Sequence, residues 1–314
     1  MNDKFNYPLV STLDDLLNAS YKYILENGEK IYGKRGSIRE VLNFAITLSN
    51  PRSRVSRSLD RRLVKSKFAE FAWFLSEDSN KNYIKPYISI YNKEESENNK
   101  ILGAYGPKIF GRIHGKVSQY ERICEQILAR KETKQAFLVL SNDTDFKVNM
   151  DEYSSPPCTI GLHFLVRKNK LNLTAYMRSN DAYFGLPHDL FCFTMLQEMI
   201  SIRTNIPLGT YTHICSSLHL YEDKINRAKS YLEEGFYEGI SMPKMTEYND
   251  KILNTVVNSY NDKIQGISID NLTPYWSDYI LFSNRFEKSH PEKEWLDKFK
   301  FEEFKAIAIC SKTK

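Results

Sequence analysis

Apolar positions recur along this chain with two periods, and these periods divide it into helices and strands. Residues 12–27 carry Leu16, Leu17, Tyr21, Ile24 and Leu25 at helical spacing. Thr12 and Asp15 form a capping-box pattern ahead of them, and Gly28 stops the run. Lys65–Ser76 is a second, strongly apolar helix that contains Glu70, a carboxyl whose pKa burial would raise. A third helix spans 118–131, with Ser118 as its N-cap. Ala136–Leu140 reads as a short strand. Ile160–Val166 and Leu171–Met177 read as paired strands joined at Arg167–Lys170. Pro187–Ile202 is apolar enough to be a central helix. Tyr211–Leu218 is a strand, followed by a charged amphipathic helix to about Leu232, and Ile264–Ile269 is a further strand. Residues 29–62 show no such period and read as a basic, irregular region.

Helices and strands mixed without regular βαβ alternation, no internal repeat and no low-complexity linker predict an α+β fold. The expectation is a single domain over 1–314, with a mixed, mainly antiparallel sheet layered with helices. Within it, 1–28 is an N-terminal helical segment, 29–62 a basic phosphate-loop region and 65–232 the core that carries the chemistry.

Composition narrows the class. A chain of 314 residues can bury a sizeable core, and 41% hydrophobic with 26% charged residues is ordinary for a globular protein. The net charge of +5, mixed along the chain, suits anionic small molecules and is too mild to argue for nucleic acid. No apolar run approaches the roughly 18 residues of a membrane span, and the N-terminus does not read as a signal peptide. The five Cys are odd in number, form no Cys-x-x-Cys and show no zinc spacing, so they read as reduced thiols of a cytoplasmic protein without a metal.

The candidate chemistry gathers around one of those thiols. Cys158 sits in Ser-Ser-Pro-Pro-Cys-Thr (154–159), and Met-Arg-Ser-Asn-Asp-Ala-Tyr-Phe-Gly-Leu-Pro-His-Asp (177–189) follows the hairpin. A thiol, a guanidinium and two carboxylates can thereby meet on one sheet, which equips a protein to attack an electron-poor ring attached to a phosphate. Glu70 in Ala-Glu-Phe-Ala-Trp-Phe-Leu, Tyr105 in Gly-Ala-Tyr-Gly, Cys158 after Pro-Pro, Arg178-Ser179-x-Asp181, Gly185-Leu-Pro and His219-x-Tyr221 occur in that order. In this the chain resembles the thymidylate synthase superfamily, which includes the pyrimidine-nucleotide hydroxymethylases.

The resemblance implies roles. Cys158 is the nucleophile that adds to C6 of a pyrimidine; a free thiol has a pKa of about 8.5 and needs a positive neighbour to ionise near neutrality. Arg178 supplies that neighbour and grips the 5′-phosphate, Ser179 touches phosphate or base, and Glu70 and Tyr105 move protons at the ring. Asp181 and Gly185 belong to the folate side, as does Tyr91, which stands where synthases place a Trp. His219 and Tyr221 hydrogen-bond the sugar. Arg35 is the candidate for the N-terminal phosphate loop, with Arg39 and Arg54 behind it. Lys134, in the pair Lys134-Gln135, stands where the superfamily lends two Arg from a partner subunit. The tail Lys-Ala-Ile-Ala-Ile (305–309) is similar to the one that closes over folate.

Departures from the synthase pattern point to a substrate. Synthases carry an Asn two residues after the Pro of Gly-x-Pro; here that residue is Asp189. Cytosine reverses the donor and acceptor that uracil offers at position 4 and N3, and a carboxyl can accept from N4–H and, protonated, donate to N3. Thr159 replaces the usual His, Ser217 replaces an Asp, and Met-Arg-Ser-Asn-Asp with Asn180 looks like the phage hydroxymethylase string. The expectation is hydroxymethylation of CMP or dCMP with 5,10-methylenetetrahydrofolate, by a homodimer. Thymidylate synthase-type methylation of dUMP or UMP, and an inactive nucleotide-binding relative, remain open beside it.

Overall fold

The computed structural model describes residues 7–33, 35–56, 64–93, 97–112, 117–146, 156–235, 239–261, 264, 266–283 and 292–312. In chain order its main elements are β1 (Leu9–Val10), α1 (Leu13–Asn27), β2 (Glu29–Gly33), β3 (Gly36–Leu48), α2 (Val64–Leu75), α3 (Lys81–Ile84), α4 (Gly106–Ile109) and α5 (Gln119–Ala129). These are followed by β4 (Phe137–Val139), β5 (Thr159–Arg167), β6 (Lys170–Met177), β7 (Asn180–Asp181), α6 (Gly185–Thr204), β8 (Leu208–Tyr221) and α7 (Ile225–Glu233). The C-terminal part holds α8 (Asp250–Ser259), α9 (Pro274–Leu281), α10 (Glu292–Leu296) and α11 (Glu302–Lys312).

The strands form one mixed sheet in the order β1-β3-β8-β6-β5-β4, with β2 on β3 and β7 on β8. The long ladders β3–β8 and β5–β6 are antiparallel, and β6–β8 is parallel. The α+β fold read from the sequence is therefore the observed one. Helix α6 is buried along nearly its whole length and packs against β6, β7 and β8 and against α2 and α5. The opposite face of the sheet carries exposed Leu42, Ile160 and Val139, and a shallow groove there is lined by Phe137, Ile160, Tyr176 and Ile214.

Local signals explain most boundaries. Thr12 and Asp15 cap α1 reciprocally, as do Ser118 and Glu121 for α5. Lys168 and Asn169, both at positive φ, make the tight turn of the β5–β6 hairpin.

Three expectations fail. Glu29–Gly33 and Gly36–Leu48, within the region read as irregular, pair as the β2–β3 hairpin. Asn43 sits in the left-handed region at φ 55°, and the buried positions of β3 fall at 38, 41, 44, 46 and 48, so no period of two is legible. Ile264–Ile269 is not a strand; its described residues are irregular, and α8 precedes them. The 305–309 tail lies within α11, with Ile307 and Ala308 buried and Phe304 packed on Phe68, so it is core and not a free closing segment.

Candidate active site

The β5–β6 hairpin brings Cys158 and Arg178 side by side, one residue before β5 and one after β6. The Arg178 backbone N–H donates to the Cys158 carbonyl at 2.9 Å. Its guanidinium holds the approach to the thiol: Nε donates to Pro157 O at 3.0 Å, Nη2 to Pro156 O at 2.8 Å, and Nη2 lies 3.6 Å from Cys158 Sγ. The ring of Phe146 lies 6.0 Å from the guanidinium carbon. A register irregularity between Thr159 and Gly161 leaves Thr159 fully buried and Ile160 exposed.

Tyr105 meets this corner from the other side. Its oxygen accepts from the Thr159 N–H at 3.1 Å and from the Thr159 hydroxyl at 2.9 Å. A phenol oxygen with both lone pairs engaged has its own proton left to donate. Burial pushes the Tyr105 pKa well above its ordinary value, with the nearby Asp189 and Cys158 adding to the shift, so the phenol stays protonated. Gly106 permits the approach, since a Cβ there would stand 2.6 Å from Phe74 O of α2.

Helices α2 and α6 supply two carboxyls. Glu70 is pushed up to about 8, first by burial and then by the charge of Asp189. Asp189 is raised to about 7 by burial, against the hydrogen bond from Asn180 Nδ2 to its Oδ2 at 3.1 Å. Both side chains are half-buried. The Tyr91 hydroxyl reaches Glu70 Oε1 at 3.5 Å, the outer limit of a hydrogen bond, while its ring stands edge-on to Trp73. Glu70 Oε2 is buried without a hydrogen-bond partner among the described residues.

The far end of the cluster is built on β7 and β8. Asp181 pairs in register with His219, and the Ala182 N–H donates to His219 O at 2.8 Å. His219 and Tyr221 share one side of the strand, their rings edge-to-face at 5.3 Å. Burial lowers the His219 pKa, opposed by the charges of Asp181 and Glu40. Asp181 Oδ1 accepts from the Tyr183 N–H at 2.8 Å, a turn-forming contact. Ser179 sits half-buried at the bend between Arg178 and Asn180. Gly185 is packed so tightly that a Cβ would stand 2.3 Å from Asn180 Oδ1, which gives this glycine a reason inside the protein.

The cationic candidates separate. Arg35 is exposed on the β2–β3 turn, and its charge acts on Tyr221. Arg39 Nε lies 3.8 Å from Glu222. Arg54 is fully buried in an ion pair with Glu198, so its candidacy for phosphate falls. Lys134 is exposed and its carbonyl meets the His163 ring, five positions along the strand from Cys158 and roughly 17 Å away. Lys134 therefore does not reach the Cys158 of its own chain.

Some residues of this cluster were not visible as site residues in the sequence. His213 is fully buried on β8 between Tyr211 and Asn180. Glu40, opposite His219 on β3, accepts a hydrogen bond from Ser217, so a carboxylate absent from β8 comes from the neighbouring strand. A His at an inward position of an apolar strand was the available cue for the first; the second needed the register.

Among the described residues no group of three or more His, Cys, Asp or Glu could hold a metal, and no helix is long and apolar enough to cross a membrane. A family model described as thymidylate synthase matches residues 20–271. Among solved structures the chain is similar to a thermostable thymidylate synthase A from Bacillus subtilis, at 23% identity over 73% of this chain and 87% of that one, with a TM-score of 0.60. That likeness shows a shared fold. Helices α9 to α11 lie beyond the family match.

Proposed function

We propose, starting from the fact that this chain belongs to the thymidylate synthase family, that it hydroxymethylates C5 of a cytosine nucleotide, CMP or dCMP. The family supports one-carbon transfer to a pyrimidine. The observation that carries the cytosine reading is Asp189, a half-buried carboxyl whose removal from water raises its pKa to about 7. Near neutrality it is protonated in a large share of molecules, and a protonated carboxyl offers one donor and one acceptor to N3 and N4–H of cytosine.

In this reading Cys158 Sγ, with Arg178 as its positive neighbour, forms a bond to C6 and makes C5 nucleophilic. Glu70, protonated near pH 7, donates to the ring as charge develops on it. Tyr105 uses its remaining proton to hold the water through which the C5 proton leaves. His219, Tyr221 and Ser179 orient the sugar and phosphate, with Arg35 from the β2–β3 turn. Water adds to the exocyclic carbon at C5, the C5–C6 double bond re-forms, and the thiolate leaves C6.

Methylenetetrahydrofolate would supply the one-carbon unit when bound. The open Oε2 of Glu70 and the Tyr91 hydroxyl beside it fit a polar heterocycle or its bridging waters. Asp181 and Tyr91 would hold the cofactor. A polar Tyr91 next to Glu70 also favours water at the reacting carbon, which is the requirement for hydroxylation over hydride transfer.

The second subunit enters through Lys134. It is out of reach of its own Cys158, so it contributes to a phosphate site only if a second copy docks on the open sheet face and lends it. In this reading the chain acts on small molecules in the cytoplasm.

Incubation with CMP, dCMP, UMP and dUMP and the folate, followed by mass spectrometry, tests this reading. The expected product is a 5-hydroxymethylcytosine nucleotide without dihydrofolate. Methylated dUMP with stoichiometric dihydrofolate establishes the synthase reaction instead, and no C5 tritium exchange from any of the four establishes an inactive relative.

A further inference from the structure

We propose that His213, acting through Asn180, fixes which oxygen of Asp189 accepts and which donates, and is the positioning residue that makes the site choose between cytosine and uracil. The proposal rests on the role given to Asp189 above and deepens it.

A lone carboxylic acid cannot discriminate well between the two bases. Its proton can sit on either oxygen, so it can match the acceptor–donor edge of cytosine or, with the proton moved, the reversed edge of uracil. Discrimination requires that the two oxygens be made different. Here a buried hydrogen-bond chain does so. Asn180 Nδ2 faces acceptors: Asp189 Oδ2 at 3.1 Å, His213 Nε2 at 3.4 Å and Met177 Sδ at 3.4 Å. Its Oδ1 is packed over Gly185, where a Cβ would stand 2.3 Å away. Turned over, the amide would give up the contacts of its Nδ2 with Asp189 Oδ2, His213 Nε2 and Met177 Sδ together.

His213 completes the lock. Its Nε2 accepts from Asn180, so its proton is on Nδ1, 2.9 Å from the Tyr211 hydroxyl. The ring is fully buried, and burial lowers its pKa to about 3, so it stays neutral and keeps that acceptor. With one amide hydrogen held by His213 and the other on Asp189 Oδ2, the acidic proton of Asp189 belongs on Oδ1. One base edge matches that polarity; the other meets donor with donor. The charge of Asp181 on β7 also acts on Asp189, and Asp189 in turn faces Glu70 on α2, Tyr105 ahead of α4, Cys192 on its own helix, and Tyr211 and Cys215 on β8, raising the pKa of each.

The test compares C5 tritium release from labelled cytosine and uracil nucleotides, each as kcat/KM over pH 5.5–8.5. The variants are His213→Phe, His213→Gln and Asn180→Ala. His213→Phe and Asn180→Ala are expected to lower the preference for the favoured base about tenfold, mainly by raising activity on the disfavoured one. His213→Gln, whose carbonyl can accept in place of Nε2, is expected to restore most of it. A parallel fall on both bases with the ratio unchanged overturns the proposal. A wild-type enzyme that prefers uracil overturns the cytosine reading, and the change in ratio still judges the lock. Independently of any variant's folding, ¹⁵N NMR of the wild type should show His213 neutral with its proton on Nδ1 across this pH range. A protonated ring, or the Nε2–H form, refutes the lock.

Discussion

Thr159 places both its donors on one atom of Tyr105, the backbone N–H at 3.1 Å and the hydroxyl at 2.9 Å. The residue that follows the thiol in sequence thus sets the direction in which the phenol donates. Thr159→Val keeps the shape and the backbone donor but removes the hydroxyl. C5 tritium release should fall about fivefold to tenfold at nearly constant KM, with Thr159→Ser near wild type. Tyr105→Phe should cost about 10²-fold or more. In the double variant the two losses should be far from additive, because the hydroxyl has no phenol left to orient. Full additivity would refute the coupling.

The raised carboxyls of Glu70 and Asp189 make a stability prediction whose sign is fixed. The folded chain holds protons at about 8 and about 7 that the unfolded chain, with carboxyls near 4, has released. Their contribution is complete below the unfolded pKa and is lost as pH rises through 7 and 8. His213, lowered to about 3, works in the opposite window, costing stability as pH falls below about 6.5. Scanning calorimetry of the free protein between pH 6.5 and 8, below the range in which the unfolded chain releases the protons of the buried thiols Cys124, Cys192 and Cys215, therefore isolates the carboxyls. Tm should fall as pH rises across that range, and Glu70→Gln should flatten the fall. An unchanged slope in that variant would show that Glu70 is ionised in the native state.

What the sequence revealed and what it hid follow from the range of the interactions. The α1 and α5 caps and the β5–β6 hairpin are written in neighbouring residues, and their positions were readable within a few residues. Cys158 and Arg178 were readable as a pair because one tight hairpin separates them. The β2–β3 hairpin was not, because its strand loses the period of two around Asn43 and its long edge is stabilised by β8, far along the chain. The lock on Asp189 draws on β7, α6 and β8, and Glu40 reaches Ser217 only through strand register. The 305–309 tail misled because its apolar residues fit a core helix as well as a closing segment.

The buried pair Arg54–Glu198 is structural, and its removal should behave accordingly. Glu198 also accepts the Met245 N–H at 3.0 Å, so it ties α6 to residues 239–245 as well as to Arg54. Glu198→Ala leaves a fully buried guanidinium without its anion and should cost about 3–5 kcal/mol in urea unfolding. Arg54→Met with Glu198→Leu should recover a large part of that loss. If Arg54 instead served a phosphate, the double variant would regain stability but lose nucleotide affinity; the structure predicts that affinity is retained.

The helices beyond the family match should brace the site from behind. Asp278 on α9 accepts the Lys300 N–H at 3.0 and 2.9 Å and the Phe301 N–H at 2.8 Å, fixing the start of α11. From there Phe304 packs on Phe68, and the Tyr279 hydroxyl donates to Phe68 O at 2.7 Å; Phe68 lies on α2, two residues before Glu70. Asp278→Ala strands two backbone donors and should cost about 2–4 kcal/mol. Asp278→Asn, which keeps an acceptor, should cost less. Because α2 carries Glu70, the alanine variant should also lower kcat with little change in nucleotide KM, and hydrogen exchange should quicken in α11 and α2 before the β5–β6 hairpin. A variant that loses protection in α11 alone, with kcat intact, would show that the C-terminal helices are an independent appendage.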